Sequence, residues 1–198
     1  MDDAPKRLVI ATRNAHKTEE IREMIGDRFE VVDVTAFPDL PEVEETGTSF
    51  LENATLKALA ISREVEGLVL SDDSGLEVDA LDGRPGVWSS SFGGEEGNHA
   101  KNNERMMREM AGQEVRTARF RCVMVLAEAG EVLAHFDGSV EGRVLDEPSG
   151  GGGFGYDPLF APEGYEQSFS ELGAEVKNGM SHRGRALAKV VAWLDEQN

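Results

Sequence analysis

The sequence predicts an α/β protein built on a mixed, twisted sheet with flanking helices. Three observations lead there. Compact apolar runs of strand length, Arg7-Leu8-Val9-Ile10-Ala11 and Leu68-Val69-Leu70, alternate with segments whose apolar residues recur at helical spacing. Further on, Ala118 to Ala127, Val132 to Phe136 and Ser139 to Leu145 follow one another through short turns, the arrangement of antiparallel strands. The 198 residues, 39% of them hydrophobic, show neither an internal repeat nor a linker, so a single domain over 1–198 is expected.

Taken in order, Arg7 to Ala11 is the first buried strand, and the polar loop Thr12-Arg13-Asn14-Ala15-His16-Lys17 leads into a helix from about Thr18 to Ile25. Phe29 to Val34 is a second strand. Pro38 and Pro41 then break the chain before the acidic Glu42-Val43-Glu44-Glu45-Thr46-Gly47. Ser49 and Glu52 have capping-box spacing and start the next helix. Its residues Phe50, Ala54, Ala58, Ile61 and Val65 form a core face, while Asn53 and Lys57, four apart, share another and can point at one object. Gly67 stops this helix. Leu68 to Leu70 is the central strand, with Asp72-Asp73-Ser74-Gly75 read as the turn at its carboxyl end.

After Leu76 to Leu81, Asp82-Gly83-Arg84-Pro85-Gly86 is a strong turn signal. Gly93 to Gly97 reads as a flexible loop, and Asn98 caps a helix running to Met110. In the long strand that follows, Phe120, Cys122, Met124 and Leu126 alternate onto one face. Leu187, Val190, Val191 and Leu194 are the apolar stripe of a C-terminal helix.

Charge narrows the function. Thirty-eight acidic against twenty basic residues give a net charge of −18, which repels nucleic acid polymers and anionic membranes. Free nucleotides are repelled too, so a phosphate site needs a local basic cluster or a metal ion. The single cysteine, Cys122, excludes an internal disulfide, and Met1 to Lys6 do not read as a signal peptide. A cytoplasmic setting is expected.

Four stretches carry chemistry. Neighbouring Asp72 and Asp73 at a sheet edge offer a hard oxygen site for a cation such as Mg²⁺, although Asp, Ser and Gly also favour ordinary turns. The loop from Thr12 to Lys17 opens a helix whose N-terminal N–H groups bind anions, with Lys17 adding charge; it lacks the Gly-x-x-x-x-Gly-Lys pattern of a P-loop. Pro148-Ser149-Gly150-Gly151-Gly152-Gly153-Phe154-Gly155-Tyr156-Asp157-Pro158 combines glycines, which let backbone approach a ligand, with aromatics that stack on one. Lys177 to Gly184, before the last helix, holds an ammonium, an imidazole and a guanidinium suited to a small polar anion.

Thr12-x-Asn14-x-x-Lys17, Glu44-Glu45-Thr46-Gly47, Asp72-Asp73-Ser74-Gly75, Gly153-Phe154-Gly155-Tyr156-Asp157-Pro158 and Ser181-His182-Arg183 occur in this order over nearly the whole chain. Together they resemble the inosine triphosphate pyrophosphatase family, which hydrolyses non-standard purine nucleoside triphosphates. The resemblance implies two lobes around a central cleft and a Mg²⁺-dependent homodimer that converts ITP, dITP and XTP to the monophosphate and pyrophosphate. It implies Glu44 and Asp73 as metal ligands and Asp73 as proton acceptor. It implies substrate contacts from Thr12, Arg13, Asn14, Ala15, His16, Lys17, Lys57, Ser74 and Lys177, chiefly around the triphosphate. Phe154, Asp157, His182 and Arg183 would surround the base, with Gly155 and Tyr156 also among the substrate-binding residues. Gly151, Gly179-Met180 and Ser90-Ser91-Phe92 depart from the family pattern, and Ser91 stands where the family often has Arg. A nucleotide-binding sensor without catalysis, or a pyrophosphatase for pyrimidine or modified nucleotides, are the competing readings. Adjacent carboxylates beside phosphates weigh against the sensor unless a metal intervenes.

Overall fold

The computed structural model describes residues 6–151 and 153–197; Met1 to Pro5, which bear on the leader reading, and Gly152 of the glycine-rich loop lie outside them. Among the described residues six strands form one mixed sheet in the order β2-β1-β3-β4-β5-β6. They are β1 (Arg7–Ile10), β2 (Glu30–Asp33), β3 (Leu68–Val78), β4 (Thr117–Glu128), β5 (Glu131–Val144) and β6 (Phe160–Pro162). β1 runs parallel to both β2 and β3, with Leu8 opposite Val31 and Leu68, whereas β5 and β6 are antiparallel. The helices are α1 (Ala15–Ile25), α2 (Phe50–Ser62), α3 (His99–Met110), α4 (Phe169–Met180) and α5 (His182–Glu196).

The chain divides into two compact units. The first comprises Met1–Asp73, Val123–Asp137 and Ala186–Asn198; the second comprises Ser74–Cys122 and Gly138–Arg185. In the first, Val9, Ala11, Val34, Ile61 and Val69 form one buried cluster, and Ala54 and Ala58 of α2 pack with Val125 and Ala127 of β4. The small residues of that second cluster bring helix and strand backbones close together. In the second unit Leu76, Met106, Met110, Phe120, Tyr156, Phe160 and Phe169 are among the members of one buried cluster. Phe120 and Phe160 meet edge to face at 4.8 Å, a geometry that aromatic quadrupoles favour.

The local signals hold in several places. Ser49 and Glu52 form the capping box of α2, and Asn98 caps α3 by accepting from the Lys101 N–H. β4 and β5 are joined by Ala129-Gly130, both at positive φ (51° and 82°), as a two-residue hairpin turn requires.

Four sequence expectations are corrected. Asp72-Asp73-Ser74-Gly75 is no turn: it lies inside the eleven-residue strand β3. β5 likewise runs unbroken from Glu131 to Val144, through the Asp137-Gly138 pair that had separated two strands. Gly93 is packed rather than loose, since a Cβ there would lie 2.5 Å from the Lys101 carbonyl carbon. Finally, Lys177 sits within a helix, α4, that periodicity did not reveal. Its signal was a second capping box, Ser168 with Glu171.

Candidate active site

The first unit carries a cluster of charge around Asp73. Asn14, in the loop after β1, is the N-cap of α1; its side chain accepts from the N–H groups of His16 and Lys17, so α1 begins three residues earlier than Thr18. Those two N–H groups are therefore satisfied within the chain. Thr12 accepts from the Asn14 N–H at 3.1 Å, which braces the loop, and exposed Arg13 donates to the Leu40 carbonyl at 3.2 Å. Ala15 and His16 lie exposed in the first turn of α1. Lys17 reaches back to β3, where its ammonium stands 3.0 Å from Asp72, a carboxylate that is 0% exposed. Burying that carboxylate is tolerable because the lysine partners it.

Asn53 and Lys57, one turn apart on α2, both act on Asp73, the first by a hydrogen bond and the second through its charge. Asn53 donates to Asp73 at 3.1 Å, and Lys57 lies within electrostatic reach of it while its ammonium pairs with Glu45 at 2.9 Å. Burial is the largest influence on Asp73. It outweighs the pull of Lys57 and Lys17, is reinforced by the charge of Glu45 and opposed by the Asn53 hydrogen bond, and the carboxyl is pushed up to about 6. Burial alone would lower Lys57, but Glu45, Asp73 and Asp72 more than compensate and raise it. Lys57 thus stays an ammonium and Asp73 stands poised near neutrality.

Glu44 is exposed and, among the described residues, forms no ion pair, whereas its neighbour Glu45 faces Lys57 and acts on Asp73. Sequence reading had singled out the first of the two. Among the described residues no group of three His, Cys, Asp or Glu could enclose a metal. The donor set nonetheless suits Mg²⁺, which is commonly held by one or two carboxylates together with substrate phosphates. Asp73 with the Glu44-Glu45 pair offers such oxygens; Asp72 is committed to Lys17.

The second unit carries a different cluster, built on the glycine-aromatic loop. Gly153 adopts φ +78°, and a Cβ there would collide with the Asp157 carboxylate. The close approach lets Asp157 accept from the Phe154 N–H at 2.9 Å while holding the Lys177 ammonium at 2.8 Å. Lys177 lies 4.7 Å from the centroid of the Phe154 ring and the Arg183 guanidinium 5.7 Å, so two cations border one aromatic ring. Lys177 therefore keeps company with the base-side residues. Asn103 of α3 donates to the Gly155 carbonyl at 3.0 Å, a brace that sequence reading missed.

Arg183, 1% exposed, donates to the Ser74 hydroxyl at 3.1 Å. His182 stacks on Phe120 at 4.8 Å with 11° between the rings. Both side chains leave the first turn of α5, which can press against α4 because residue 184 is glycine; a Cβ would strike the Asn178 carbonyl oxygen. Tyr156 is buried with its hydroxyl on the Ser89 carbonyl at 2.8 Å, and burial raises its phenol well above its usual range. It braces the loop from behind.

A mixed α/β chain with a buried carboxyl in the field of two lysines in one unit and a cation-flanked aromatic loop in the other carries the groups of a nucleotide-handling protein. The family model of the Ham1 family matches residues 8–193, and the chain belongs to that family. It is 47% identical over 192 residues to a dITP/XTP pyrophosphatase of Desulforamulus reducens, covering 96% of each chain. It is likewise 47% identical over 186 residues to the dITP/XTP pyrophosphatase of Geobacter sulfurreducens, covering 92% of this chain and 93% of that one. Among solved structures, the Ham1 protein of Staphylococcus aureus superposes with a TM-score of 0.87 at 34% identity, over 98% of this chain and all of the other. A HAM1 protein of Coxiella burnetii gives the same TM-score at 35% identity, over 96% of this chain and 99% of the other.

Proposed function

We propose that this chain hydrolyses non-standard purine nucleoside triphosphates, ITP, dITP and XTP, to the monophosphate and pyrophosphate. The reading rests on membership of the Ham1 family, and Asp73 carries the chemistry: a buried carboxyl, pushed up to about 6 by burial before any metal binds, bonded to Asn53 and within the field of Lys57 and Lys17. That is the state a general base needs at neutral pH.

In this reading Asp73 takes the proton of the attacking water as oxygen approaches the α-phosphorus. Lys17 and Lys57 neutralise charge that grows on the departing pyrophosphate, the electrostatic contribution that usually dominates such reactions. Thr12, Arg13, Asn14, Ala15, His16 and Ser74 line the phosphates beside them. Phe154 stacks on the base, Gly155 and Tyr156 shape the loop, and Asp157 orients Lys177. His182 and Arg183 read the oxygen at position 6 of hypoxanthine or xanthine. Mg²⁺, held by Asp73 with Glu44 or Glu45, would polarise the phosphate oxygens. The whole of 1–198 acts as one functional domain, as a homodimer in the cytoplasm. Light scattering of the purified protein tests the dimer, a monomeric mass refuting it. No helix among the described residues is long and apolar enough to cross a membrane.

A panel of nucleoside triphosphates with Mg²⁺, with pyrophosphate and orthophosphate measured separately, tests the reaction. Pyrophosphate from ITP, dITP and XTP with little from ATP is expected. Accumulation of IDP with orthophosphate would overturn the assignment.

A further inference from the structure

Three lysines of these clusters contact a carboxylate: Lys17 meets Asp72 at 3.0 Å, Lys177 meets Asp157 at 2.8 Å and Lys57 meets Glu45 at 2.9 Å. Two of the carboxylates are fixtures. Asp72 is enclosed within β3, and the Asp157 side chain is 4% exposed and also bonded to the Phe154 N–H. Glu45 is different. It lies outside any helix or strand, its side chain is 42% exposed, and its ion pair is with Lys57 alone among the described residues. Lys57 stands on α2 with its side chain only 11% exposed. The carboxylate can swing into water at little cost, while the ammonium cannot follow it.

We propose that Glu45 is a specificity-determining residue: it occupies the Lys57 ammonium as an internal stand-in for phosphate and yields it to polyphosphate in preference to a single phosphate. The proposal rests on the reading that Lys57 receives the triphosphate. The exchange replaces one anion by another on the same ammonium and makes no covalent bond. An incoming orthophosphate gains little over the carboxylate already there. A triphosphate carries more charge and engages Lys17 as well, so it displaces Glu45 more readily. Once pyrophosphate has left, Glu45 returns to Lys57 and opposes retention of a ligand that carries one phosphate.

The test is calorimetric titration of the full chain in EDTA, so that no metal contributes, with inorganic tripolyphosphate and with orthophosphate. Glu45→Gln and Glu45→Ala are both titrated, each checked by its melting transition, so that a folding defect in one leaves the other to decide. Either variant should bind orthophosphate roughly three- to tenfold tighter than the wild type, the range of a partly exposed ion pair and the repulsion it relieves. Tripolyphosphate should gain less, so its preference over orthophosphate narrows. In a Lys57→Gln background the gain should vanish, and Glu44→Gln should show much less of it. Unchanged or weaker binding in both Glu45 variants would overturn the proposal. So would an equal gain without Lys57, or an equal gain from Glu44→Gln, which would reduce the effect to general charge. If the wild type binds tripolyphosphate but releases no pyrophosphate from ITP, the catalytic reading fails and the Glu45 result stands by itself.

Discussion

Replacing Asp73 with Asn separates two consequences of burying a carboxylate. Its folded pKa, raised by burial from 3.8 to about 6, means that the folded chain holds a proton which the unfolded chain has already released between those values. Stability therefore falls as pH rises through that window, and the deficit is complete above pH 6. The difference corresponds to roughly 3 kcal/mol. An asparagine side chain at this position would resemble the protonated form, neutral and still able to accept from Asn53 through its amide oxygen. In EDTA, Asp73→Asn should thus be more stable than the wild type at pH 7.5, by up to about 3 kcal/mol, with the gap closing as pH falls below 4. Guanidinium unfolding followed by tryptophan fluorescence at several pH values measures it. The same substitution removes the proposed proton acceptor, so turnover of ITP should fall by at least ~10²-fold. A mutant equally stable or less stable at pH 7.5, or a gap that ignores pH, would refute the electrostatic account of Asp73. Near-normal turnover would refute its catalytic role.

Three further outcomes are expected. Asn53→Ala removes a hydrogen bond that lowers the Asp73 pKa, so the acid limb of kcat/KM should move to higher pH; a pH profile unchanged or shifted downward would contradict it. Arg183→Ala should lose efficiency on ITP by much more than on ATP, because Arg183 is a pure donor and a mismatched buried donor costs on the order of 1–3 kcal/mol. An equal fall on both substrates would reassign Arg183 to structure, a role its bond to Ser74 would also serve. Gly153→Ala forces a methyl group onto the Asp157 carboxylate at positive φ. It should raise KM for ITP several-fold while leaving tripolyphosphate affinity nearly intact, and a drop in both would show that the loop also supports the phosphate cluster.

Much of the fold was legible because it rests on local signals. The α2 capping box, the Asn98 cap, the Asp82-Gly83 turn and the alternation of Phe120, Cys122, Met124 and Leu126 are written within a few residues of where they act. The pairing of Asn53 and Lys57 was legible too, because four residues is one helical turn. What escaped was chemistry between distant segments. Nothing near Glu44 or Glu45 says which of them faces Lys57; the path of a loop outside regular structure decides it. Nor could spacing reveal that Lys177 pairs with Asp157, twenty residues away, or that Asn103 braces Gly155 across fifty-two.

The misreading of Asp72-Asp73-Ser74-Gly75 has a physical cause that bears on function. Local propensity assigns two adjacent carboxylates, a serine and a glycine to a solvated turn, since a strand interior would bury charge without water. β3 buries both carboxylates nonetheless, because Lys17 from α1 and Lys57 with Asn53 from α2 supply the countercharge and hydrogen bond that water would have given. The compensation is unequal. Asp72 has its lysine at contact distance, while Asp73 must share the field of Lys57 with Glu45 and keeps a pKa near 6. A strand that contradicts its own propensity at four consecutive positions is maintained for what those positions do. The residue left least compensated is the one suited to accept a proton.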